Sequence, residues 1–360
     1  MLTYLETRTR IIVVVAVAAS LAALVLRLTG AAGVATFGAS AVGLAGLAAL
    51  VGEGTEQLAH RLGPRATGVV QSALGNLPEF FIGIFALRAG LLDVVRAALI
   101  GSILANTLLV LGLAFVAGGL RHGPQRFGTD QTKMMSTLLV LAAAAIAIPT
   151  VAASPGGPAH GHEIELSVVV SIVLLVVFAA SIPFSLGNGP GVGSLEGSDR
   201  TEPTWPLTLA AGTLLAAGVG AAFVSDWFVD ALKPAMSSLG MSESFAGLVV
   251  VAIAGNAVEN VVGVQAMLRN KPDLAISVIL NSSLQVALAL VPVLVLVSLV
   301  LGGATLTLVV SPLLVVALAL TAVLSAVVVI DGESTWLEGM ALIGLYVILA
   351  ASVWWGQPIA

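Results

Sequence analysis

Two carboxylates stand where a chain of this kind can least accommodate them. Glu79 and Glu259 each lie inside an apolar run, in the segments Gly75-Asn76-Leu77-Pro78-Glu79 and Gly255-Asn256-Ala257-Val258-Glu259, 180 residues apart without a gap. Each segment is followed at the same distance by an aspartate, Asp93 or Asp273. A polar patch comes next, Gly101-Ser102 through Asn106 in the first copy and Asn281-Ser282-Ser283 through Gln285 in the second. An ionisable side chain at membrane depth costs about 2.5–3.5 kcal/mol. Shared helix packing accounts for repeated glycines such as Gly83 and Gly263, but packing does not call for a glutamate.

Composition makes these runs membrane spans. The chain has 360 residues, 58% hydrophobic and 9% charged, whereas soluble domains carry roughly 25% charged residues. So little charge cannot cover a water-exposed surface. No Lys/Arg-rich run offers a nucleic-acid surface. The absence of cysteine excludes disulfides, thiolate metal sites and cysteine nucleophiles. The first apolar run, Ile11 to about Leu28, follows Arg8 and Arg10 without a convincing cleavage site and reads as a retained span.

Runs of about 20 apolar residues, the length that crosses ~30 Å of hydrocarbon, recur along the chain. They lie near 11–28, 31–52, 66–90, 94–119, 133–153, 165–186, 205–225, 242–268, 273–301, 306–329 and 335–355. The expected fold class is therefore an all-α integral membrane protein of about eleven helices. The expected cytoplasmic side carries Arg8, Arg10, Arg61, Arg65, Arg121, Arg126, Lys133, Arg200, Arg269 and Lys271; the other side carries Arg27, Arg88, Arg96 and Lys233. That excess of cations places the N-terminus in the cytoplasm and the C-terminus outside. Residues 187–204, rich in Gly, Pro and Ser with Glu196, Asp199, Arg200 and Glu202, read as a flexible cytoplasmic linker. The Ser154–Glu165 loop, with His160, His162, Glu163 and Glu165, would face outside as a solvated loop; Asp331, Glu333 and Glu338 read as solvated too.

The two Gly-Asn-x-x-Glu segments fall in the third and eighth spans. An odd number of crossings separates them, so the motif runs in opposite directions through the bilayer. An extra N-terminal helix (1–30) followed by five-helix halves (31–186 and 205–360) accounts for the count. Inverted repeats with polar, broken helices at matching positions point to the midplane site of a secondary transporter.

In each motif the glycine, Gly75 or Gly255, gives the helix a place to unwind. Asn76 and Asn256 sit one turn before their glutamates, on the same face. Pro78 removes a backbone donor and would free a carbonyl near Leu74; such carbonyls are tolerated at membrane depth where they line a polar cavity. Ser102 with Asn106, and Ser282 with Gln285, can face the glutamates, although the position matching Asn106 is Val286. The candidate ion ligands are Glu79, Glu259, Asn76, Asn256, Ser102, Asn106, Ser282 and Gln285, with the backbone at Gly75 and Gly255. All are hard oxygen donors of the kind Ca²⁺ takes; tetrahedral zinc fits poorly without Cys or His. Two glutamates in one apolar pocket resist joint ionisation and titrate as a pair. One divalent cation or two protons neutralise them equally well. Exclusive binding of either, with access from both sides, yields cation/proton exchange. The pair fixes the substrate's charge, not its identity.

These segments resemble the calcium/proton exchanger (CAX-type) family of the cation/Ca²⁺ antiporter superfamily over nearly the whole chain. The resemblance rests on Gly75-Asn76-x-x-Glu79 with Ile84-Phe85-Ala86-Leu87-Arg88, and on Gly101-Ser102-Ile103-Leu104-Ala105-Asn106 with Leu109-Val110-Leu111-Gly112. In the second half it rests on Gly255-Asn256-Ala257-Val258-Glu259, Lys271-Pro272-Asp273-Leu274 and Ser282-Ser283-Leu284-Gln285-Val286-Ala287-Leu288. It implies that Glu79 and Glu259 bind Ca²⁺ and H⁺ in turn, and that Glu56 and Glu243 line the entrance vestibules. The expected partners are Ca²⁺ and H⁺ as transported substrates, the lipid bilayer and, as an open expectation, a second copy of the chain. No cofactor is expected. There are departures. The first motif carries Pro-Glu, closer to the sodium/calcium exchanger branch, while that branch's Gly-Thr-Ser motif is absent and the linker has few acids. The competing readings are Na⁺/H⁺, K⁺/H⁺ or Mn²⁺/H⁺ antiport on the same fold, a passive cation channel, and an intramembrane enzyme. No nucleophile–His constellation supports the last.

Overall fold

The structure, a computed structural model, describes residues 6–30, 33–187 and 205–355; at 59–73, 183–187, 258 and 259 it describes the backbone only. The expected linker therefore lies outside the described residues, apart from Gly187. Among the described residues, nine helices are long and apolar enough to cross a membrane, ten if one bent pair counts as a single span. The all-α membrane architecture stands.

Two helical spans form the centre. The first is α4 (Leu92–Leu104), a π-helical stretch Ala105–Val110 and α5 (Leu111–His122). The second is α12 (Pro272–Gln285), a π-helical stretch Val286–Leu290 and α13 (Val291–Ser298). In each, 83% of the most apolar window is buried, against 11% for α1 (Thr7–Leu28). The expected spans 94–119 and 273–301 are thus helical throughout but widened by π-turns at matching positions. Such turns are common at functional sites because they re-aim side chains.

Around this centre the exposed side chains are apolar, among them Val14, Leu21, Leu215, Val316 and Ile348. That surface faces lipid. Helix α1 turns the face carrying Thr9, Ala16 and Ala23 inward onto α2 (Gly33–Leu74). A Cβ on Gly46 would lie 2.7 Å from Ala16 Cβ, and one on Gly43 2.9 Å from Ser20 Oγ, so only glycine permits this helix spacing. Helix α2 then lies antiparallel along α8 (Leu207–Leu239), with Gly33 against Pro234 and Gly54 against Leu214. Arg27 joins the pair through ion pairs to Asp226 (3.2 Å) and Asp230 (2.6 Å).

The backbone of α2 stays helical through the break expected between the second and third spans. A straight helix of its 42 residues would be about 63 Å long, twice the hydrocarbon thickness. Yet Leu77, just beyond α2, approaches Gly218, close to the part of α8 that Gly54 meets. The chain therefore doubles back between Leu58 and Leu74, as two spans require, with no loop of coil to mark the turn.

The eighth expected span, 242–268, is broken: α9 (Glu243–Phe245), a π-stretch Ala246–Val251 and α10 (Ala252–Gly255) meet α11 (Ala257–Leu268) at a bend of 60°. Its first part crosses α4 closely, Gly247 against the Val94 carbonyl and Gly101 against the Leu248 backbone. The tenth expected span, 306–329, begins later, at Pro312 of α14 (Pro312–Val329), capped by the Ser311 hydroxyl. Residues 306–310 before it are not helical. Their N–H groups donate to the hydroxyls of Ser298, Ser167 and Thr150, which lets buried backbone forgo a helix. Helices α6 (Thr129–Ala152), α7 (Glu163–Gly187) and α15 (Trp336–Trp354) complete the bundle. A short antiparallel pair, β1 (Gln125–Arg126) with β2 (Glu333–Ser334), ties two loops together at one end.

Candidate cation-binding site

The motif glycines and asparagines break their helices in the same way. Asn76 adopts φ −98°, ψ 21° and Asn256 φ −90°, ψ 21°, a sparsely used region between helix and turn. A new helix starts directly after each: α3 (Leu77–Arg88) and α11. Glu79 and Glu259 are the third residues of these helices, where the partial positive charge of a helix N-terminus favours a carboxylate. Pro78 occupies the first turn of α3, a position with no intrahelical N–H partner to lose. Pro78 therefore interrupts no helix, and the carbonyl expected to be free near Leu74 belongs to the last residue of α2. The second motif, with Val258 in its place, breaks with the same geometry, so the Gly-Asn pair sets the break.

Polar side chains from both halves meet at this level, all buried: Asn76, Glu79, Ser102, Asn106, Asn256, Ser282 and Gln285. Of the bonds between these side chains described below, all cross from one half to the other, while Ser282 also reaches Asn256 within the second half. Asn76 Nδ2 donates to Gln285 Oε1 at 3.1 Å, so the residue one short of the Asn106-matched position does reach the site. Asn256 Nδ2 donates to Ser102 Oγ at 2.9 Å and to the Ala252 carbonyl at 2.9 Å. Asn106 Nδ2 donates to Asn256 Oδ1 (3.1 Å) and Ser282 Oγ (2.9 Å). This chain fixes the amide orientations. The Ala252 carbonyl accepts only, so Asn256 must turn its NH₂ there and its oxygen to Asn106. Asn106 must then answer with its own NH₂. Its Oδ1, wholly buried, is left without a donor among the described residues. An orphaned buried acceptor is costly, and a cation would satisfy it. Asn256, with both ends engaged inside the protein, holds the geometry.

Glu79 lies against the opposite motif. A Cβ on Gly255 would come 2.7 Å from Glu79 Cγ and 3.1 Å from its Cδ, so Gly255 is the seat for that side chain. The Glu259 side chain lies outside the described residues, and Gly75 is half-buried at the first break. Beside Glu79 and Ser102 lies a small pocket of about 20 Å³ between α3 and α4, lined also by Gly83, Ala86, Val94, Leu99 and Leu294. At the N-terminal end of α4, Arg96 bonds Asp93 (2.8 Å) and the Thr307 hydroxyl (2.9 Å).

Glu243 begins α9, which packs on α4, and so stands half-buried at the same end. Glu56 is exposed on α2, two residues beyond Gly54, which meets the opposite end of α8. The two proposed vestibule acids thus flank opposite ends of the bundle. Glu53, outside both motifs, is a half-buried acid that accepts from Thr9 Oγ1 at 3.1 Å; like Glu79 it is a carboxylate inside an apolar window. His160 Nδ1 contacts the Ala153 carbonyl at 3.2 Å. No group of three or more His, Cys, Asp or Glu residues fit for a metal occurs among the described residues.

The sodium/calcium exchanger protein family matches residues 32–187 and 209–355. Among curated relatives, the Ca²⁺/H⁺ antiporter ChaA of Bacillus subtilis (strain 168) is 34% identical over 324 residues, covering 87% of this chain and 90% of its own. The Ca²⁺/H⁺ antiporter of Synechocystis is 36% identical over 322 residues, covering 84% and 86%. The solved structure of native YfkE superposes with a TM-score of 0.82 at 30% identity, over 95% of this chain and 99% of that one. The H⁺/Ca²⁺ exchanger CAX shares the fold, with a TM-score of 0.76 at 16% identity, over 96% of this chain and 92% of that one. The chain belongs to the sodium/calcium exchanger protein family.

Proposed function

We propose that this protein exchanges Ca²⁺ for H⁺ across a membrane, extruding Ca²⁺ from the cytosol at the expense of the proton gradient. The observation that carries this reading is the buried oxygen site built from both halves. Glu79 sits against Gly255, and the Asn106 oxygen is left open, close to a small pocket between α3 and α4. A site of acidic and amide oxygens without sulfur or imidazole suits a hard cation. The relatives named as Ca²⁺/H⁺ antiporters make Ca²⁺ the first candidate.

In this reading Glu79 and Glu259 carry either the cation or protons. Asn106, Ser102 and Ser282 supply further oxygens, and Asn76, Asn256 and Gln285 hold the frame. Gly75 and Gly255 let the helices break. The chain comprises an N-terminal helix (1–30), two inverted five-helix repeats (31–186 and 205–360) and a cytoplasmic linker (187–204). With the N-terminus inside, the α3–α4 connection and Glu243 lie on the outer side and Glu56 on the cytoplasmic side.

Everted membrane vesicles energised to an acid interior test the reading. Added Ca²⁺ is expected to discharge the pH gradient while Ca²⁺ accumulates. Glu79→Gln and Glu259→Gln should each reduce both signals to background. Proton release driven by Na⁺, K⁺ or Mn²⁺ but not by Ca²⁺ would reassign the substrate. Ca²⁺ flux without proton movement would make the protein a channel.

A further inference from the structure

One face of α11 is only partly covered by protein. Ala257, Val261, Gln265 and Leu268 follow one another there at helical spacing, half-buried or, at Val261, exposed. Two hollows open along it. The first, of about 580 Å³, is apolar: Ala257 and Val261 line it together with Ile11 and Val15 of α1 and Gly46 and Ala49 of α2. Arg8 stands at its edge and already interacts with Glu53. The second hollow, of about 590 Å³, begins one turn further along α11. There Gln265, Leu268 and Arg269 meet Arg121 and His122 from the end of α5, and no acid among the described residues lines it. The imidazole is held beside α11 by its Nε2, 2.9 Å from the Leu268 carbonyl. Neither guanidinium, of Arg121 or of Arg269, makes an ion pair or a hydrogen bond among the described residues.

A cation at the C-terminal end of a helix is favoured by the helix dipole, which accounts for Arg121 or Arg269 singly. It does not account for two helices bringing theirs to one hollow without an acid between them. Depth supplies the second argument. Helix α11 starts at the level of the ion site, and from Ala257 to Arg269 it rises about 18 Å, against about 15 Å of hydrocarbon in one leaflet. The apolar hollow therefore lies at the depth of acyl chains and the basic one at the depth of headgroups. We infer that this face of α11 binds an anionic phospholipid. An acyl chain lies between α11 and the α1–α2 pair, over Val261 and Gly46. The phosphate is held by Arg121 and Arg269, whose planar donors suit its oxygens, with the Gln265 amide beside them. Such a lipid bridges α1, α5 and α11, and so steadies the helix that carries Glu259. The extra N-terminal helix gains a purpose in this arrangement, because α1 forms one wall of the acyl groove. The inference rests on the chain's place in a membrane and not on which ion it carries.

Native mass spectrometry of the detergent-purified chain tests it, with phosphatidylglycerol and phosphatidylcholine of identical acyl chains titrated in turn. Phosphatidylglycerol is expected to bind about tenfold more tightly or better. Arg121→Gln and Arg269→Gln should each weaken it by about fivefold. Arg88→Gln removes an exposed charge outside both hollows and should leave it unchanged. Val261→Trp fills the apolar hollow and should weaken phosphatidylglycerol by about threefold or more with both arginines in place. Equal binding of the two lipids, an equal loss from Arg88→Gln, or no effect of Val261→Trp would overturn the inference. So would displacement of the lipid by inorganic phosphate at the same concentration, which would make the basic hollow a site for free phosphate. The arginine variants and Val261→Trp act on opposite ends of the lipid, so a failure of one to fold leaves the others to decide.

Discussion

Glu79 and Gly255 meet at a spacing that leaves no room for a methyl group. Adding one places it 2.7 Å from Glu79 Cγ, inside contact distance, and overpacking of this kind costs about 1–3 kcal/mol. Because the atom displaced belongs to a proposed ion ligand, the cost should appear in ion binding. Gly255→Ala is expected to raise the Ca²⁺ concentration for half-maximal exchange by at least about fivefold, with the protein still folded by gel filtration. An unchanged Ca²⁺ dependence would mean that Glu79 does not hold the ion in that position. At the same scale, the seven buried polar residues divide by what their atoms already do. Asn256 uses its donor and its acceptor within the protein, while Asn106 keeps an oxygen in reserve.

At the scale of elements, the break in each motif helix decides where the glutamate points. The matched backbone angles at Asn76 and Asn256 assign that break to the Gly-Asn pair. Pro78→Ala should therefore be nearly neutral, changing exchange rates by less than about threefold and stability by about 1 kcal/mol or less. A collapse of activity in that variant, measured in the same vesicles, would return the break to the proline. Most of the architecture was legible in the sequence because membrane helices need long apolar runs, and the cost of a buried carboxylate singled out the two motifs. What was not legible depends on contacts between elements far apart in the chain. The π-turn after Gln285 brings that side chain to Asn76, although the register by sequence points to Val286. The late start of α14 at Pro312 depends on three hydroxyls from other helices. The reversal inside α2 leaves no coil, so composition shows no sharp boundary there. Glu53 finds its partner, Thr9, on the first helix, a contact across elements that the sequence does not show.

At the scale of the whole molecule, the exposed surface is apolar and the charges collect at the ends. Arg27 bridges to Asp226 and Asp230 at one end. Arg126 bonds Glu333 at 2.7 Å, beside the β1–β2 pair. In the proposed orientation, drawn from the excess of lysine and arginine, the second of these ends faces the cytoplasm. Alkaline phosphatase fused after Ala360 should then be active in a bacterial host, while a fusion within residues 187–204 should be inactive. The reverse pattern would invert the molecule and put Glu243 on the cytosolic side.

The bonds from Asn76 to Gln285, from Asn256 to Ser102 and from Asn106 to Asn256 and Ser282 all run between the halves. Neither half owns a complete site. For the genetics of this protein, a lesion in one motif has its nearest structural neighbours in the other half of the gene. Second-site suppressors of a change at Asn76 belong around codon 285, and those of a change at Asn256 around codons 102 and 106. The map of compensating mutations should therefore fall in two clusters lying some 150 to 210 codons from the original lesion.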